Sequence, residues 1–233
     1  MTANNPLKLA LGSLLMLIPL GASATLMREV PFDEKVGNSA SIIAGRCVRT
    51  ESQWDRGGKR ILTYATFSIE KTLRGAPRPN REITIVIPGG SVGNIRQDTI
   101  GVPSFSEGDE NVLFLRNTDL GPTVAYLEQG AYAITTEGGE RMVRPVATEA
   151  VHIDEQRGVA VPAEEARPLR QFESDVRAAE QRIAFQRNQM IESRRRKAAE
   201  ETSIWTAVKR NKLLVMLALV GATLATWTLL RRR

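Results

Sequence analysis

The sequence predicts a mainly β protein: a small β-barrel followed by a long α-helical stalk and a C-terminal transmembrane helix. Three observations carry this. Short segments between residues 41 and 145 alternate apolar and polar residues with period two. After Pro162 the apolar residues fall at spacings of three and four. From Leu213 to Leu230 there is no charge. Period two marks a half-buried strand, and a 3–4 spacing marks one face of a helix. An uncharged run of 18 residues rises about 27 Å as a helix, enough to cross a hydrocarbon core.

The chain opens with a secretory signal. Lys8 is the basic start, Leu9 to Leu20 the apolar stretch, and Ala22-Ser23-Ala24 a small-residue cleavage site. Such a pattern is a signal peptide rather than a spanning helix. The expected division is therefore 1–24 signal peptide, 25–161 β-barrel domain, 162–208 stalk and 209–233 transmembrane helix.

Within the barrel, "RILTYATFSIEKTLRG" places Ile61, Thr63, Ala65, Phe67, Ile69 and Leu73 on one face. "EITIVIP" repeats the alternation with Ile83, Ile85 and Ile87, and "NVLFL" is wholly apolar, as a central strand can be. "SIIAGRCVRT", "TVAYLEQ", "AYAITT" and "RMVRPVA" complete the candidate strands. "DRGGK", "LRGAPRPNRE" and "TEGGER" are turn signals between them. Six to eight short strands with little helix indicate a sandwich or small barrel.

The stretch "IPGGSVGNIRQDTIGVPSF" is rich in glycine, yet it is not a phosphate loop. A Walker loop needs Lys-Ser/Thr after its last glycine, and Asn94-Ile95 follows Gly93. Gly90-Ser91-Val92-Gly93 has the wrong spacing for a dinucleotide loop, and Gly101 and Pro103 prevent a long helix from starting there. The stretch reads as a strand-to-strand excursion, either plain barrel closure or a ligand-contact surface. Its candidate binding residues are Gly89, Gly90, Gly93, Arg96, Pro103 and Phe105.

No catalytic set emerges. His152 is the sole histidine and Cys47 the sole cysteine, so neither a zinc site nor an internal disulfide can be assembled from them. Cys47 reads as a small buried strand residue, with an intermolecular bridge or lipid attachment as alternatives. A hydrolase would need His152 as base beside Ser91, Ser104 or Ser106, none of which lies in a nucleophile elbow. Glu107, Asp109 and Glu110 read as a polar turn. No catalytic residue, metal ligand or cofactor is expected.

Charge is segregated. Residues 25–165 carry a net −4 and residues 166–233 a net +9. A basic tail beside a span points to anionic lipid rather than nucleic acid, because it lacks interleaved aromatics. Trp205, Lys209, Arg210, Lys212, Trp227, Arg231, Arg232 and Arg233 are the expected membrane anchor. The signal peptide places the β-domain on the periplasmic or extracellular side, with one C-terminal span in the inner membrane. Arg194, Arg195, Arg196 and Lys197, with Lys209, Arg210 and Lys212, oppose that orientation under the positive-inside rule.

In the arm, Leu169, Phe172, Val176, Ala179, Ile183 and Met190 form one stripe. It could dock on the barrel, pair with a second copy as a homodimer, or pair with another protein.

The order of Trp54, Thr63, Phe67, Leu73-Arg74-Gly75, Ile85-x-Ile87-Pro88-Gly89-Gly90, Gly101-x-Pro103-x-Phe105 and Gly108-Asp109-Glu110 resembles a group of poorly characterised bacterial exported domains. That resemblance covers Ser41 to Thr136; in strand order and in the "TFSIEKTLRG" type of segment the group is similar in outline to the OB-like barrels of netrin modules and tissue inhibitors of metalloproteinases. The resemblance implies an OB-like barrel and an inhibitor-like partnership with a co-exported peptidase. Those inhibitors reach the protease zinc through an N-terminal cysteine held by disulfides. Here Thr25 would be the mature N-terminus and no internal disulfide can form, so that mechanism does not carry over. The sequence thus predicts a non-enzymatic envelope module that binds another protein, with an envelope scaffold dimerising through residues 165–208 as the alternative.

Overall fold

The computed structural model describes residues 26–76, 81–146, 151–154, 157–161 and 164–231. The expected signal peptide lies outside them. The elements are β1 (Leu26–Arg28), α1 (Phe32–Asn38), β2 (Ser41–Trp54), β3 (Ile61–Arg74), β4 (Glu82–Pro88), β5 (Gly90–Val92), β6 (Ile95–Gln97), β7 (Glu110–Thr118), β8 (Gly121–Val124), β9 (Ala131–Glu137), β10 (Glu140–Pro145), β11 (Val151–Asp154), β12 (Val159–Ala160), β13 (Arg167–Pro168), α2 (Leu169–Arg210) and α3 (Lys212–Arg231).

The central sheet runs β13-β10-β9-β7-β2-β3-β4, with β8 added to β7. Its spine is the long β2–β3 hairpin, turned at Asp55–Arg60 where the sequence places a turn. Register shifts at Ile42/Ile43, Ala44/Gly45 and Cys47/Arg49 coil this hairpin, as bulges do by adding local twist. Along β2, only the first half, Ser41–Arg46, pairs with β7. A small sheet, β1-β11-β12, and the β5-β6 hairpin complete the strands.

The Val112–Leu115 run of β7 is apolar because both of its faces are covered. Leu113 and Leu115 join a core with Ile43, Cys47, Ala65, Phe67, Ile69, Ile83, Ile85 and Ile87. Phe114 points the other way, into an aromatic cluster with Phe32 of α1, Tyr132 of β9 and Phe172 of α2; the Tyr132–Phe172 centroids are 4.9 Å apart. Arg167 stacks its guanidinium on Phe32 and Phe172. A buried polar chain lies within this cluster. Lys35 Nζ donates to Tyr132 Oη at 2.6 Å, and Tyr132 Oη donates to Glu164 at 3.1 Å. Burial pushes the Lys35 ammonium below its ordinary pKa, and pushes the Tyr132 phenol well above its own.

The expected closed barrel is not formed; the sheets are open. β8 lies beside β4, but Thr123 Oγ1 donates to the Val86 carbonyl at 2.7 Å where a backbone ladder would be needed. β8 has only four residues, and its Pro122 carries no N–H, so that seam cannot zip. The segment read as a strand, "TVAYLEQ", is β8 only to Val124. Tyr126 and Leu127 then adopt positive φ (60° and 57°) and enter a 3-10 turn over Leu127–Gly130.

The chain forms two compact units, Met1–Val176 and Arg177–Arg233. The second holds the rest of α2 and α3. The expected transmembrane helix is not found: among the described residues, no helix is long and apolar enough to cross a membrane. The expected inner-membrane location loses its anchor for the same reason. Of the anchor residues, Lys209, Arg210, Lys212, Trp227 and Arg231 are exposed on helices, and Arg231 stacks on Trp227. The Trp205 side chain and Arg232 and Arg233 lie outside the described residues.

Candidate functional site

Where β4 ends, the chain must turn sharply, and two glycines allow it. Gly89 and Gly90 have φ of 99° and 127°, a region that L side chains rarely enter. Both are also closely packed. A Cβ on Gly89 would lie 2.7 Å from the Gln97 carbonyl oxygen, and one on Gly90 would fall on the hydroxyls of Thr63 and Ser52. Hydrogen bonds fix this corner. Gly89 N–H donates to the Ile61 carbonyl at 2.8 Å, and Thr63 Oγ1 donates to the Gly89 carbonyl at 2.7 Å. The Ile61 N–H donates to Gln97 Oε1 at 2.7 Å. With its own proton given to Gly89, Thr63 Oγ1 accepts from the Ser52 hydroxyl at 2.8 Å.

The excursion then folds as the β5–β6 hairpin, whose two-residue turn starts at Gly93 with φ of 58°. A glycine in this first position is what a type II′ turn requires. No helix starts after Gly93, in agreement with the rejection of a phosphate loop. The chain returns through Gly101 (φ 75°) and the buried Pro103. Phe105 then packs edge-on against Phe67, 5.2 Å between centroids.

Together these segments enclose a recess of about 420 Å³ at the open end of the sheet. Its floor is Thr50, Ser52, Thr63 and Ile87 from three adjacent strands. Its walls are Gly89–Ser91, Arg96–Thr99 and Val102–Phe105. Arg96 Nε donates to Asp98 at 2.8 Å, an exposed pair on the rim. Of the six sequence-derived binding residues, Gly89, Gly90, Arg96, Pro103 and Phe105 meet at this recess; Gly93, at the hairpin tip, does not line it. Thr50 and Ser52 were not singled out by the sequence, and Thr63 was read as a strand-face residue rather than a binding one. Alternation places them on the core face of their strands, and three hydroxyls in a row there were the available signal.

His152 is remote from the excursion serines in the contacts it makes. Its Nε2 lies 3.3 Å from Glu128 Oε1, beside the small β1-β11-β12 sheet. Glu128 is buried, so the pair fastens β11 to the 3-10 turn. Gln129 ties the same turn to the N-terminal strand, accepting from Val30 N–H and donating to the Arg28 carbonyl, both at 2.8 Å. Cys47 is a buried free thiol, raised in pKa by burial. Among the described residues, no cluster of three or more His, Cys, Asp or Glu side chains could hold a metal ion. Of the turn carboxylates, Asp109 accepts from Ser106 N–H at 2.7 Å, while Glu110 pairs with Arg46 and Arg141. Comparison with protein families, curated proteins and solved structures finds no match.

Proposed function

We propose that this protein is a binding module whose ligand is another polypeptide, held in the recess of residues 89–105 without a chemical step. The observation that carries the reading is the recess itself. Clefts that combine apolar side chains with a few placed polar groups are common ligand positions. Here the polar groups are the floor hydroxyls and one exposed ion pair on the rim, beside the apolar side chains of Ile87, Val102 and Phe105. These groups recognise by hydrogen bonding and shape.

The test is selection of displayed linear heptapeptides on the full chain, followed by binding measurements with Ser104→Trp. Ser104 is exposed on the recess wall, so an indole there fills the recess without entering the core. Loss of binding by tenfold or more with an unchanged unfolding midpoint supports the reading. Unchanged binding refutes it.

A second reading, self-association through the arm, is favoured by one observation in α2: Phe185, Met190 and Ile191 are exposed. Sedimentation of the full chain and of Phe185→Glu separates the two. A concentration-dependent dimer that Phe185→Glu abolishes would establish pairing, and a monomer throughout would remove it.

A further inference from the structure

Within the proposed binding function, we infer that the ligand enters as an extended strand, adding to the outer edge of β2 at Thr50, Ser52 and Trp54. The edge follows from the hydrogen-bond parity of the hairpin. Asp55 N–H donates to the Arg60 carbonyl at 2.7 Å, closing the β2–β3 ladder at its tip. Trp54 pairs in register with Ile61. The N–H and C=O of Ile61 go the other way, to Gln97 Oε1 and Gly89 N–H. In an antiparallel ladder bonded and non-bonded pairs alternate. Trp54, Ser52 and Thr50 are therefore the non-bonded set towards β3, and their backbone groups point outward.

β7 would be the neighbour on that side, but its pairing stops at Arg46. Cys47 makes the last backbone bonds there, to Asp109 and Gly108. Val48 is the extra residue of the bulge between Cys47 and Arg49. Beyond it, among the described residues, no backbone hydrogen bond satisfies the outer edge of Thr50, Ser52 and Trp54. The vacancy continues the line of β7. From Arg49 to Trp54 it is about 20 Å long, room for five or six residues of strand.

Two of these residues, Thr50 and Ser52, turn their side chains to the recess. Thr50 and Ser52 form its floor, so a strand on this edge would send alternate side chains beside the hydroxyls. Main-chain bonds would supply affinity and the recess would choose the side chain, as in strand addition generally. Charge gives the strand a polarity. Arg56, Lys59 and Arg60 lie at the hairpin end, where Asp55 is already occupied by Lys59 N–H, Arg60 N–H and Arg60 Nε. Glu107 and Asp109 lie at the other end, beside Cys47. The complementary segment is extended, carries a carboxylate towards the hairpin tip and a cation towards Asp109, and has small side chains facing the recess.

The experiment uses the heptapeptide most enriched on the full chain as probe. Amide hydrogen exchange is read at Thr50, Ser52 and Trp54, with Glu51 and Gln53 as internal controls already in the ladder. Saturating peptide is expected to slow the first three at least tenfold and to leave the controls unchanged. Methylating alternate peptide nitrogens is expected to weaken binding at least tenfold in one register and little in the other. Ser52→Ala, which removes the hydroxyl alone, is expected to retain binding, whereas Ser52→Pro, which removes the outward N–H together with the hydroxyl bonded to Thr63, is expected to abolish it. Should that variant fail to fold, the exchange and methylation results on the native chain decide. If the peptide binds and Ser104→Trp blocks it, but the three amides stay unprotected and methylation changes affinity less than twofold, strand addition is wrong and the recess reading stands. If no peptide enriches, both fall.

Discussion

Phe172→Ala tests whether the start of α2 belongs to the β-domain. Phe172 is fully buried and meets Phe32, Phe114 and Tyr132 with centroids 5.5, 6.2 and 4.9 Å away, under the Arg167 guanidinium at 4.7 Å. Truncating a buried phenylalanine costs about 3–5 kcal/mol when the surroundings relax only partly. The upper end is expected here, because the edge-to-face contacts and the stacked cation are lost as well. A domain of this size holds only about 5–15 kcal/mol in total. The control is Phe185→Ala on the same helix. Phe185 is 64% exposed, and its truncation is expected to cost less than about 0.5 kcal/mol. Urea unfolding followed by tryptophan fluorescence and far-UV circular dichroism reads both. A loss below about 1.5 kcal/mol for Phe172→Ala would be too small for a filled aromatic site. Equal losses for the two variants would also refute the placement of the first turns of α2 in the core.

Gly90→Val combines positive φ with a Cβ placed on the Thr63 and Ser52 hydroxyls, so it is expected to cost about 2 kcal/mol or more in urea and to collapse the recess. The buried Cys47 thiol is expected to react with a disulfide reagent at least about a thousandfold more slowly in the native chain than in denaturant, because reaction must wait for opening; comparable rates would show that β2 frays there. Glu70 is held below its ordinary pKa by Arg141, which donates to both its oxygens at 2.6 and 2.7 Å. Its contribution is present above the unfolded value and is lost as pH falls through the lower folded one, so Glu70→Gln should lower the urea midpoint at neutral pH, leave it nearly unchanged in acid, and so flatten the acid side of the stability profile. Burial depresses the Lys35 pKa below its ordinary 10.5, so the unfolded chain binds more protons between the two values and stability rises with pH in that window. Lys35→Met is expected to remove that rise, measured as urea midpoints at stepped pH; an unchanged slope would mean that Lys35 is not the group responsible.

Much of the β-domain was legible because its strands are half-buried and announce themselves by period two. β3 and β4 follow the alternation of "RILTYATFSIEKTLRG" and "EITIVIP" closely, and the Val112–Leu115 run of β7 is apolar on both faces because the Phe114 cluster covers the second one. Barrel closure was not legible. It depended on whether β4 and β8 zip, and Pro122 with a four-residue strand prevents it, a pairing between segments far apart in sequence. The turn at Tyr126 and Leu127 was hidden too: two consecutive non-glycine residues with positive φ carry no turn signature. In the arm the stripe of Leu169, Phe172, Val176 and Ala179 is buried while Met190 is exposed. Periodicity alone does not say where along a helix burial stops. At the recess, glycine and proline marked the walls, while the floor came from hydroxyls that look like ordinary strand residues.

The other edges of the central sheet explain why the outer edge of β2 stands out. An unpaired strand invites association with any other strand, and proteins blunt such edges by shortness, proline or charge. β13 has two residues and ends in Pro168. β8 is four residues long and contains Pro122, and β4 ends at Pro88 against it. Along the described part of β2, Arg49 to Trp54 has no proline and six consecutive strand residues. What guards it is side-chain charge on the face away from the recess, Arg49 and Glu51, together with the bulge at Val48 that bends the strand away from β7. Those devices oppose stacking of flat sheets but leave the backbone donors and acceptors available to a single strand arriving along the recess. An edge retained in this form, beside a built recess, is more economically explained by selective pairing than by incomplete protection. Replacing Glu51 with valine should therefore raise non-specific self-association of the chain, seen by light scattering, while leaving binding of the selected heptapeptide within about twofold, since Glu51 points away from the recess. A loss of peptide binding without self-association would place the ligand on the opposite face and overturn the assignment.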